Sequence, residues 1–226
     1  VRQFINNYLE ALSPLIPLVL LLITYNMQKL KVTNALLLHF VLIFILKIIV
    51  VWSGHYNIPN IRYYNAICIV AFCTIAILFY QVFNLRAYKK AVAISSILYV
   101  LAFFMLLIFW DDNMTFNSTG FSLASLIIIV YSFMYFKEKI ALADVQHVFF
   151  DKIFWIITGF FIYYFGCFFI FLTFKFLTLN GILTDVIEER KSLGTLWGIQ
   201  NIIYFLSCIS ISIGILWRRS QIMYTS

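Results

Sequence analysis

The sequence predicts an all-α integral membrane protein, a seven-transmembrane-helix bundle with its N-terminus outside and its C-terminus cytoplasmic. Three observations predict it. The 226 residues are 64% hydrophobic and only 11% charged, with a mean hydropathy of +0.98, whereas an ordinary soluble domain carries about 25% charged residues. The apolar residues fall into seven continuous runs without two-residue alternation, which favours helices over a barrel. Lys and Arg gather in alternate connections between those runs, as the positive-inside bias of membrane helices requires.

A span needs about 20 mostly apolar residues to cross the hydrocarbon layer. The first run is Leu9–Tyr25, interrupted by Pro14 and Pro17, and the second is Ala35–Trp52. The third runs Asn65–Phe83, the fourth Ala91–Trp110 and the fifth Phe121–Phe136. The sixth and longest is Ile153–Leu177, and the seventh is Leu196–Trp217. The connections are short, so neighbouring helices are expected to pack antiparallel within a single domain covering 1–226. Lys29, Lys31, Arg86, Lys89, Lys90, Lys137, Lys139, Lys152, Arg218 and Arg219 fall on one side of this map. Arg2, Arg62, Arg190 and Lys191 fall on the other. The richer side is expected to be cytoplasmic. Trp52, Trp110 and Trp197 then sit at outer span ends and Trp155 and Trp217 at inner ends, where an indole keeps its N–H wet.

The net charge of +7 is better explained by membrane orientation than by nucleic acid, and no nucleic-acid partner is expected. Cys68, Cys73, Cys167 and Cys208 all lie inside apolar runs without CxxC spacing, and read as small buried residues rather than disulfides or metal ligands. No basic region precedes a cleavable apolar stretch, so no signal peptide is expected. Acidic residues are costly at bilayer depth, and the nine Asp and Glu residues are expected to lie outside the runs. That argues for sensing, binding or scaffolding over pumping.

Polar residues within the spans are the candidates for chemistry. Lys47, in the outer third of the second span, either snorkels to the outer headgroups, pairs with Asp111 or Asp112 at the outer end of the fourth span, or binds an anionic ligand. His39, near the inner end of the same span, lacks a second histidine at matching depth for haem and reads as a satisfied side chain. Gln200, Asn201, Tyr204, Ser207 and Cys208 form a polar stripe in the outer half of the seventh span. Gly159, Tyr163 and Gly166 share a face of the sixth. Helix packing is the simpler explanation of both stripes, and an outward-opening pocket the functional one. The candidate ligand-binding set is Lys47, Trp52, His55, Asp111, Asp112, Tyr163, Trp197, Gln200, Asn201 and Tyr204. The segment Leu179–Gly194 is expected to form a short amphipathic cap, and Lys137–Lys152 an inner loop that lies on the membrane surface or docks a partner. Asn113 and Asn117 match a glycosylation pattern, with chance the stronger explanation. No metal ligand cluster, catalytic constellation or cofactor motif is visible, so neither an enzyme nor a bound cofactor is expected.

A microbial rhodopsin needs a lysine in its last span, and Leu196–Trp217 has none. The sixth and seventh spans, through Phe154-Trp155-Ile156, Thr158-Gly159, Tyr163 and Gly166, then Trp197-Gly198-Ile199-Gln200-Asn201-Ile202-Ile203 to Ile213-Gly214, resemble seven-helix membrane modules of bacteria. Some relatives of that kind are associated with sensor histidine kinases. The resemblance covers about the last third of the chain. It implies a sensor-like or signal-coupling module of the inner (cytoplasmic) membrane, working with a membrane or cytoplasmic partner at its inner loops. The alternative is a structural or accessory subunit of a larger membrane complex.

Overall fold

The structure, a computed structural model, describes residues 8–25, 31–56, 58–109, 117–142, 151–179 and 186–216. Every regular element among them is helical. We number the helices α1 (Glu10–Thr24), α2 (Lys31–His55), α3 (Ile61–Val82), α4 (Arg86–Phe109), α5 (Ser118–Leu142), α6 (Lys152–Leu179) and α7 (Val186–Leu216). Six of these, α2 to α7, contain stretches long and apolar enough to cross a membrane. Their outer faces carry large exposed side chains such as Ile94, Leu101, Phe133 and Phe169. A surface of that kind suits lipid and suggests a multi-pass membrane protein.

The first helix is broken inside the expected span. It consists of a three-residue piece, Glu10–Leu12, and a ten-residue piece, Leu15–Thr24, separated at Ser13 and Pro14. At 1.5 Å per residue the described stretch, residues 8–25, reaches roughly 27 Å, against a hydrocarbon layer of about 30 Å. Pro14 has no N–H to donate, and its ring crowds the preceding turn, so the helix restarts there. The Ser13 hydroxyl returns a hydrogen bond to the Leu9 carbonyl at 2.5 Å.

Packing closes a ring. Helix α1 touches α2 and α7, α2 packs on α3, α3 on α5, α5 on α6, and α6 on α7. Helix α4 stands outside this ring, against α3 and α5. Ile94, Ile97, Leu98, Leu101, Met105 and Ile108 recur at helical spacing along its uncovered face. Tyr131 of α5 fastens it, meeting Ser95 Oγ at 2.6 Å and Ser96 Oγ at 3.3 Å. Tyr99 of α4 reaches back to donate to the Gly120 carbonyl at 3.2 Å.

Helices α6 and α7 approach most closely where side chains vanish. A β-carbon on Gly159 would lie 2.9 Å from the Ser207 carbonyl, one on Gly166 would strike Ile203, and one on Gly214 would lie 2.7 Å from the Lys152 carbonyl. The Gly159 and Gly166 stripe therefore serves helix packing, as small residues do between membrane helices. The cysteines are free thiols, with Cys68, Cys167 and Cys208 buried.

Helix ends are capped by specific side chains. Asn117 accepts from the Gly120 N–H through Oδ1 at 2.6 Å and is wholly buried; it caps α5 rather than presenting a glycosylation site. Asp151 caps α6 through the Ile153 N–H at 3.0 Å, and its other oxygen holds Lys139 at 2.9 Å. Two expected loops are corrected. Lys137, Glu138 and Lys139 continue α5, which runs on to Leu142, and residues 143–150 lie outside the described residues. In the expected cap, 186–194 is the uninterrupted start of α7, with Gly194 inside the helix, and 180–185 lies outside the described residues.

Candidate functional site

The site lies at the ring end expected to face outward, and it begins with two side chains that no apolar bundle would bury singly. Lys47, about 12 Å inside α2 from its His55 end, donates from Nζ to Glu10 Oε1 at 2.9 Å. Both are buried, with side-chain exposures of 5% and 11%. This corrects two expectations. Lys47 does not snorkel outward but pairs with an acid the sequence reading did not offer it; Asp111 and Asp112 lie outside the described residues. The spans also do contain an acid, because Glu10 falls within the first run. A carboxylate and an ammonium at this depth neutralise each other, which is what makes the burial of either tolerable.

The rest of the site holds the pair from behind. The Lys47 ammonium sits 3.9 Å from the centroid of the Tyr204 ring, on the ring's electron-rich face. Tyr204 packs on Tyr163 with ring centroids 5.0 Å apart, and the Tyr163 hydroxyl accepts from Gln200 Nε2 at 3.3 Å. Tyr64 of α3 donates to Glu10 Oε2 at a long 3.5 Å, and its ring meets Trp197 edge-on at 4.9 Å. Asn201 is fully buried one residue beyond Gln200 on α7. Five helices, α1, α2, α3, α6 and α7, thus converge on one ion pair.

In front of the pair lies a cleft of about 860 Å³, bounded by α1, the outer half of α2 and the start of α3. Glu10 and Lys47 line it together with Trp52, His55, Asn60 and Tyr64. Trp52 and Tyr56 meet at a tilt at its rim, with centroids 4.9 Å apart, and Trp52 is 57% exposed. Beneath Lys47 a nearly filled space of about 30 Å³ continues between His39, Tyr163, Tyr164 and Tyr204. That is room for about one water. Lys47 borders both spaces, and so forms the floor of the cleft.

Of the ten candidate residues, Lys47, Trp52 and His55 line the cleft, while Tyr163, Trp197, Gln200 and Tyr204 stand behind its floor. Sequence reasoning missed Glu10 and left Tyr64, one of several tyrosines at outer span ends, out of the candidate set. The available signal was an acid inside a run otherwise free of charge. His39 does not join the site. Its Nδ1 is hydrogen-bonded to Thr74 Oγ1 at 2.7 Å, and that hydroxyl lies 2.8 Å from the Val70 carbonyl. Among the described residues no three His, Cys, Asp or Glu side chains gather as metal ligands would.

No protein-family model, curated protein or solved structure matches this chain.

Proposed function

We propose that this chain is a sensor-like, signal-coupling protein of the bacterial inner membrane, without catalytic activity of its own. Its N-terminus faces out, and a small molecule enters the cleft over Lys47. The observation that carries this reading is the buried Glu10–Lys47 pair at the floor of an 860 Å³ opening. A site built only for stability has no need of an open cleft above its most expensive contact. The pair ties the short, broken α1 to the long, unbroken α2. Anything that competes for either charge therefore shifts α1 against α2 and α7. The inner ends of those helices, with the loops beside them, would pass the shift to a membrane or cytoplasmic partner, in keeping with the likeness to modules that work with sensor kinases.

The buried acid removes one argument against a pump, but not the whole of it. Glu10 is already neutralised, and the other described buried carboxylate, Glu138, lies near the opposite end of the bundle. A relay across the membrane needs groups at intermediate depth, where the described His39 is already bonded to Thr74. The second reading, a structural subunit of a larger membrane complex, draws on the uncovered stripe of α4, which would bury against a neighbouring subunit.

Thermal unfolding of the purified chain in mild detergent, against a panel of anionic, cationic and neutral compounds, tests the first reading. A ligand at about a hundred times its Kd stabilises by about 2.7 kcal/mol, so a true ligand raises Tm measurably, and Lys47→Met abolishes the rise. A panel in which nothing moves Tm counts against sensing. Native mass spectrometry showing fixed stoichiometry with other membrane proteins favours the subunit.

A further inference from the structure

We infer that the cleft takes a carboxylate with an apolar or aromatic body, and that Glu10 is the resident substitute for that carboxylate. The inference rests on the proposed ligand site and names its ligand class. Lys47 is held without Glu10: it stands on an unbroken helix with its ammonium against the Tyr204 ring. Glu10 is held less firmly. It belongs to the short helical stretch that precedes the break at Ser13 and Pro14, and its second oxygen has the long 3.5 Å contact from Tyr64.

The lining gives the sign of the ligand. Glu10 is the one acid among the described residues of the cleft. Once it withdraws, Lys47 is the one charged group among the described lining residues, beside the N–H and O–H groups of Tyr8, Trp52, His55, Tyr56, Asn60 and Tyr64. A cationic ligand would instead meet Lys47 as a like charge and leave it buried without compensation, which is strongly unfavourable. A carboxylate keeps the floor neutral by taking the place of Glu10. Phe44, Ile48 and Val51 complete the wall and suit an apolar body. An incoming carboxylate therefore frees the first piece of α1.

Chemical rescue tests this directly. Glu10→Ala leaves Lys47 buried and unpaired, so Tm falls. Benzoate or hexanoate is expected to restore most of the lost Tm, whereas benzamide, hexanol and hexylamine are not. Benzoate should bind this variant roughly tenfold or more tightly than the unaltered chain, because an internal competitor has been removed. The Glu10→Gln/Lys47→Met double variant, which leaves neither charge buried and is expected to fold, should show no carboxylate response. Lipid enters as a separate arm: rescue by phosphatidylserine in mixed micelles, without rescue by benzoate, would identify a headgroup as the source of the carboxylate. Equal rescue by benzamide, or none by any carboxylate in the variant, overturns the inference. If an amine or neutral compound still stabilises the unaltered chain, the cleft remains a ligand site and only the ligand class is wrong.

Discussion

Lys47 and Glu10 are each costly at this depth alone and tolerable together, so their energetics should be strongly non-additive. Lys47→Met and Glu10→Gln are each expected to lose about 3–5 kcal/mol, the usual consequence of leaving a buried charge unpaired. The double variant should lose far less than the sum. Unfolding midpoints of all four proteins in one detergent measure the coupling, and simple additivity would show that the pair is not formed. Lys47 itself was legible in the sequence, because a lysine flanked by Leu46 and Ile48 is out of place in any apolar run. Its partner was not. Glu10 sits at the edge of a proline-interrupted run, where hydropathy changes gradually, and the aspartates beyond the fourth span looked equally near in a linear map. Tyr64 was hidden for another reason. A tyrosine at a span end is expected of any membrane helix, and only the approach of α1 gives this one a carboxylate to meet.

Between helices, stability is expected to concentrate where α6 meets α7. Gly159→Val would push a side chain into the Ser207 carbonyl and Ile211. A loss of about 1–3 kcal/mol is expected from such overpacking. Gly194, also helical, has open space around it, so Gly194→Ala should stabilise by up to about 1 kcal/mol through helix propensity. Thermal unfolding that ranks these two variants in the opposite order would refute the packing described. Helix α4 offers a second test. Glu138 of α5 accepts the Asn84 N–H at 2.8 Å and the Leu85 N–H at 3.3 Å through one oxygen, tying down the entry to α4. Glu138→Ala removes that acceptor and should weaken the junction by about 1–3 kcal/mol. Hydrogen exchange at Asn84 and Leu85 should quicken, while α7 is unchanged. The number and order of helices were readable because twenty-residue apolar runs leave little else to form. That α4 stands outside the ring was not readable, since lipid-facing and helix-facing positions are both apolar.

For the molecule as a whole, the arrangement fixes which helix ends share a compartment. Tyr56→Cys at the end of α2 and Arg86→Cys at the start of α4 lie at opposite ends of the bundle. A membrane-impermeant maleimide applied to intact cells is expected to label the first and not the second, against a low background from the largely buried native thiols. Labelling of both, or of Arg86→Cys alone, would reject the proposed orientation. The closed ring has a further consequence for biogenesis. The seam joins α1 to α7, the earliest and the latest of the described helices to leave the ribosome. Tyr204, Trp197 and Gln200 come from α7, whereas Glu10 comes from α1. An unfinished chain therefore has Lys47 without its aromatic backing, and under the proposed function recognition arises only once α7 has been made. Nascent or truncated copies in the membrane would be blind to the ligand, and so unable to send a false report.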